Sequence, residues 1–129
     1  MHKFTLMDSH ILLGISYADK GADIECTELV ASCAAINREI PSLGEFATAF
    51  NKFLYTSIIH LDGDKIYLTD FGRELIHQAN ASVVTHADES VQLVLKALSG
   101  FKLKSMCNRN VWSQEQYQLA VNAQRIDTD

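Results

Sequence analysis

The sequence predicts a mainly α fold with a small β-hairpin, an α+β arrangement. A helix-turn-helix runs into the hairpin, and a helical C-terminal extension follows. Three observations predict it. Pro41 to Leu75 reads as a capped helix, a strand, an Asp-Gly turn, a second strand and a second capped helix. Apolar residues recur at helical spacing on both sides of that stretch. The rhythm shortens to strand-like runs only around Ile58 to Leu68.

The first helix is expected from Thr5, with Asp8 three residues on as a capping-box acid. Ile11, Ile15 and Ala18 then share a face, with Leu12 beside them. Lys20-Gly21 supplies a basic end and a stop. Ala22 to Glu25 fits a short strand or an extended lead-in. A second helix fits Thr27 to Asn37, with Leu29, Val30, Cys33, Ala34 and Ile36 apolar. Pro41 pushes the residue before it away from helix. Ser42 with Glu45 forms the S-x-x-E signature of a helix start. Phe46, Phe50, Phe53 and Leu54 are the expected buried stripe of this third helix. Two helices joined by a short turn make a helix-turn-helix.

Ile58 to Leu61 and Lys65 to Leu68 flank Asp62-Gly63-Asp64, a hairpin signal. Thr69 caps a fourth helix with Leu75, Ile76 and Ala79. Ala81 to Ala87 reads as a connection. A fifth helix over Asp88 to Leu98 presents Val91, Val94, Leu95 and Leu98. Phe101 to Trp112 reads as irregular or extended. Ser113 with Gln116 opens a last helix, with Tyr117, Ala120 and Val121 apolar.

Thr69-Asp70-Phe71-Gly72-Arg73-Glu74-Leu75 resembles the LT-x-x-G-x-x-L ending after the wing of many winged helix-turn-helix proteins. Regulators like those of the MarR and PadR families are among them. The resemblance covers Thr5 to about Asn80. It implies a winged-helix domain over residues 1–80, with residues 81–129 packed on it or on a second subunit. It also implies DNA binding, with the third helix reading bases and the hairpin acting as the wing.

The 129 residues suffice for one structural unit, and 47% of them are hydrophobic, which is ordinary for a packed domain. The formal net charge is −5, where nucleic-acid binders more often carry a basic face. Three cysteines, Cys26, Cys33 and Cys107, cannot all pair within one chain, so reduced thiols and a cytoplasmic location are expected. No secretory hydrophobic region follows Met1. The longest apolar stretch, Ile11 to Ile15, is far too short for a bilayer, so no membrane partner is expected.

With the phenylalanines inward, the outward residues of the third helix are Glu45, Thr48, Asn51, Lys52 and Tyr55. Asn51 could read adenine, Lys52 guanine or phosphate, and Thr48 a thymine methyl. Lys65 would support them from the wing. The charge balance argues the other way. From Ser42 to Leu75 three bases face five acids, a net of −2. Phosphate neutralisation supplies most non-specific DNA affinity. The one basic run is Lys96, Lys102, Lys104 and Arg109, with no acid from Leu95 to Ser113. It fits an acidic partner or a nucleic-acid backbone, and equally a solvated loop.

No catalytic motif, metal-ligand spacing or cofactor fingerprint is present. An EF-hand loop starting at Asp62 would need Glu at its twelfth position, which is Arg73. His10, His60 and His77 are scattered. No enzyme activity, metal or cofactor is expected. The apolar sides of the last two helices must be buried on the domain or on a second subunit, and a two-fold homodimer is expected. The function expected from the fold is a DNA-binding transcription regulator. The alternative is a winged helix that serves as a protein-interaction or dimerisation module and binds no DNA.

Overall fold

The computed structural model describes residues 3–37, 39–79, 87–101, 103 and 111–128. Six helices and one hairpin follow in the order α1 (Leu6–Ala18), α2 (Cys26–Asn37), α3 (Leu43–Tyr55), β1 (Ile59–Asp62), β2 (Lys65–Leu68), α4 (Asp70–Ala79), α5 (Ala87–Leu98) and α6 (Gln114–Thr128). The mainly α architecture with a two-stranded sheet is the one expected.

The helix starts form where the caps stand. The Thr5 N–H donates to Asp8 Oδ2 at 2.8 Å, and the Asp8 N–H donates to Thr5 Oγ1 at 3.2 Å. Ser42 and Glu45 repeat the exchange at α3, at 2.8 and 3.1 Å. Thr69 Oγ1 accepts from the Gly72 N–H at 3.0 Å and opens α4. Each cap satisfies backbone donors that the first helical turn leaves without partners. At α6 Ser113 Oγ accepts from the Gln116 N–H at 3.0 Å. The Gln116 side chain turns elsewhere, as described below.

The hairpin pairs Ile59 with Leu68 and Asp62 with Lys65, so Asp62 belongs to β1 and the loop is only Gly63-Asp64. Gly63 takes φ 63°, the positive angle that a two-residue hairpin turn demands at its first position. The Ala22 to Glu25 stretch contributes one bridge. The Ile24 N–H donates to Ile66 O at 2.7 Å, and the Ile66 N–H returns the bond at 3.1 Å.

Helix α1 lies at the centre. Every residue from Asp8 to Ile15 is buried, because α2, α3, α4 and α5 all pack against it. The spacing of Ile11, Ile15 and Ala18 marks one face only; Leu13 and Ser9 fill others. Helix α6 packs on α2. Val94 and Leu98 of α5 and Ala120 and Val121 of α6 are buried within the chain itself.

Helix α3 departs from expectation on its margins. Phe46, Phe50 and Phe53 are buried, but Leu54 is 37% exposed. The buried arc is rotated away from Leu54 and takes in Ala47, Ala49 and Lys52 instead.

Gly72 sits where α4 crosses the start of the hairpin. A Cβ there would overlap Ile58 O and stand 2.7 Å from Leu68 Cδ1. Gly72→Ala is expected to destabilise the fold by about 1–3 kcal/mol, seen as a lower urea midpoint at unchanged slope. A midpoint at or above wild type would contradict this close approach.

An ion pair ties α4 to the end of α1. Arg73 Nε and Nη2 donate to the two oxygens of Asp19 at 2.7 and 3.0 Å. The Arg73 bond, opposed by burial and helped by the Gly21 N–H, holds the Asp19 carboxyl below its ordinary range. A depressed folded value means the contribution is complete above the unfolded value of about 3.9 and is lost as pH falls through the folded one. Asp19→Asn is expected to lower the urea midpoint at neutral pH, with the gap to wild type closing as pH falls through the depressed folded value. A gap independent of pH would contradict the pairing.

Candidate functional site

Lys52 is the only base in α3, and it points inward. Its Nζ lies 2.6 Å from Asp8 Oδ2, with the two side chains 8% and 3% exposed. It also donates to Lys3 O at 2.7 Å and sits 5.9 Å from the centre of the Phe4 ring. Phe4 in turn stacks on Phe53 at 5.8 Å. Asp8 therefore does two jobs: it closes the α1 capping box and neutralises a buried ammonium. The expectation that Lys52 faces outward is corrected. The reason is non-local, since its partner stands 44 residues earlier, in the part of α1 from Asp8 to Ile15 that is buried all round.

The outward arc of α3 consists of Gly44, Thr48, Asn51 and Tyr55, with Leu54 at its edge. Thr48 and Asn51 are half-buried and Tyr55 is 49% exposed. Asn51 Nδ2 donates to Ala47 O at 2.7 Å, which engages part of its amide. Glu45, half-buried near Thr48, is the one charged residue of α3 outside its buried arc.

Lys65 is on β2 and bonds Asp23 Oδ2 at 3.2 Å. Its pKa is raised by that hydrogen bond and the Asp23 charge, then by the charges of Glu25 and Asp64. An acidic neighbourhood thus surrounds the one base of the hairpin. Of the expected basic patch, Lys96 is exposed on the last turn of α5. Lys102, Lys104 and Arg109 lie outside the described residues. Thr48, Asn51 and Tyr55 are brought onto one arc; Lys52 and Lys65 do not join them there as free cations.

The hairpin turn is anchored to the C-terminal extension. Trp112 Nε1 donates to Asp64 O at 3.1 Å, and Gln116 Nε2 donates to Asp64 Oδ2 at 2.7 Å. The Trp112 ring is buried 4.9 Å from Phe46 and 5.1 Å from Phe50. Tyr117 donates its hydroxyl to Pro41 O at 2.6 Å. The start of α6 therefore clasps both the hairpin and the connection before α3. Trp112 was legible in sequence only as an aromatic beside the basic run. The nearest hint was a lone tryptophan directly before a capping serine.

No group of three or more His, Cys, Asp or Glu among the described residues could hold a metal ion. Cys26 and Cys33 are buried free thiols. Burial, and at Cys26 also the Asp64 charge, pushes both up to about 12, so they stay protonated and poorly nucleophilic. His10 is buried, with Nε2–H donating to Cys33 O at 2.9 Å. No helix among the described residues is long and apolar enough to cross a membrane. Comparison with protein-family models, with curated proteins and with solved structures finds no match for the chain.

Proposed function

We propose that the chain is a winged helix-turn-helix that works as a protein-interaction module and not as a DNA reader. The element order supports the fold reading. So does the bridge from Ile24 to Ile66, a single-residue pairing that sets the segment between the first two helices beside the hairpin. The observation that carries the functional reading is Lys52. Its charge is spent on Asp8 inside the domain, and the one charge α3 keeps outside its buried arc is the acid Glu45. A polyanion gains little from such a face, because counterion release needs accessible Lys or Arg. An arc without a free cation, bearing a half-exposed tyrosine and leucine, suits a protein surface better, since interface cores are enriched in tyrosine.

The DNA-binding regulator remains the second reading. It is favoured by Thr48, Asn51 and Tyr55, which share one exposed arc and could hydrogen-bond base edges. A photo-crosslinking residue at Tyr55 separates the two in cells of the native host. Protein binding yields an adduct that protease degrades and nuclease does not. An adduct shortened by nuclease would sink the protein reading.

A further inference from the structure

The cleft between the hairpin turn, the start of α2 and the first turns of α6 has a volume of about 420 Å³. Its walls combine an apolar anchor with negative charge. Leu119 of α6 is 64% exposed, the highest among the large hydrophobic residues described. Glu25, Asp64 and Glu115 line the same cleft. The Glu115 carboxylate has no hydrogen bond or ion pair among the described residues. The cation at the edge, Lys65, is already bonded to Asp23. Two neighbouring groups feel the field: the Lys65 ammonium is stabilised and the Cys26 thiol is held protonated, each partly by Asp64. The clasp by Trp112 and Gln116 fixes the hairpin wall, so the cleft is preformed.

We infer that this cleft docks a basic polypeptide segment of a partner protein, with an apolar side chain against Leu119 and a lysine or arginine between Glu25, Asp64 and Glu115. Charge complementarity selects the occupant. An anionic ligand is repelled, and a neutral apolar one leaves the negative charge of Glu25, Asp64 and Glu115 without a counter-charge. Leu119 supplies the apolar contact that an ion alone would not use. The inference rests on the protein-interaction reading and names where and what that partner presents.

The test is amide-correlation NMR of the full chain titrated with the peptide acetyl-Gly-Leu-Arg-Leu-Lys-Gly-amide. Shifts are expected to cluster at Thr27, Lys65, Glu115 and Leu119. They should vanish with the same peptide carrying glutamates in place of its bases. Glu115→Gln and Leu119→Ser, both at exposed positions, are each expected to weaken binding by up to about fivefold, the range of an exposed contact. Glu89→Gln on α5 is expected to change nothing. Absence of shifts at millimolar peptide, shifts spread over the surface, or equal weakening by Glu89→Gln would overturn the cleft. So would cleft shifts that grow with protein concentration alone, which would mark a second copy as the occupant. A chain that binds neither DNA nor this peptide refutes the cleft and leaves the protein-interaction reading standing; one that binds DNA refutes that reading first.

Discussion

Asp8→Ala is expected to destabilise the domain by about 3–5 kcal/mol, because it leaves the Lys52 ammonium buried without its counter-charge. Loss of the α1 capping box adds about 1 kcal/mol. A variant that removes both charges, Asp8→Leu with Lys52→Met, is expected to recover much of the loss. Two apolar side chains of similar volume replace a pair whose desolvation offsets most of its attraction. Urea denaturation followed by far-ultraviolet circular dichroism checks both. A single-variant cost below about 1 kcal/mol would mean that Lys52 swings to solvent at little cost. It would then be available to DNA, and the chief objection to that reading would fall.

Trp112→Ala is expected to cost about 3–5 kcal/mol through the cavity left between Phe46 and Phe50. Trp112→Phe keeps most of the packing but loses the bond to Asp64 O, at about 0.5–1.5 kcal/mol for the hydrogen bond. Hydrogen exchange gives a sharper readout. With alanine, hairpin amides next to Gly63 and amides in the first turns of α6 should lose protection together, since one side chain joins them. If α6 amides open while the hairpin amides keep their protection, the clasp is not what holds the turn.

Local signals were the legible part of this fold. Thr5-Asp8 and Ser42-Glu45 form the boxes their spacing implies, because a cap is decided within four residues. Gly63 turns the hairpin for the same reason. The stripe of Phe46, Phe50 and Phe53 is buried as its period demands. What spacing could not supply was the surface each helix meets. The contacts of α1 on all sides come from helices that arrive later in the chain, so its apparent single face misled. Lys52 sits beside the phenylalanine stripe, and only a carboxylate on α1 makes burial of that position tolerable. Leu54 went the other way, partly exposed because the buried arc turned toward Lys52. The clasp of Trp112 and Gln116 on Asp64 joins positions about fifty apart in sequence, where no periodicity speaks.

The most direct measurement is fluorescence anisotropy of a mixed-sequence DNA duplex titrated with the full chain over a series of salt concentrations. Screening is weakest at low salt, where the Debye length reaches about 30 Å. A domain whose α3 cation is held by Asp8 and whose hairpin base is held by Asp23 should give no binding at micromolar protein even there. Affinity that rises steeply as salt falls, with a log–log slope equivalent to several phosphate contacts, would contradict the protein-interaction reading and restore α3 as a DNA-reading helix.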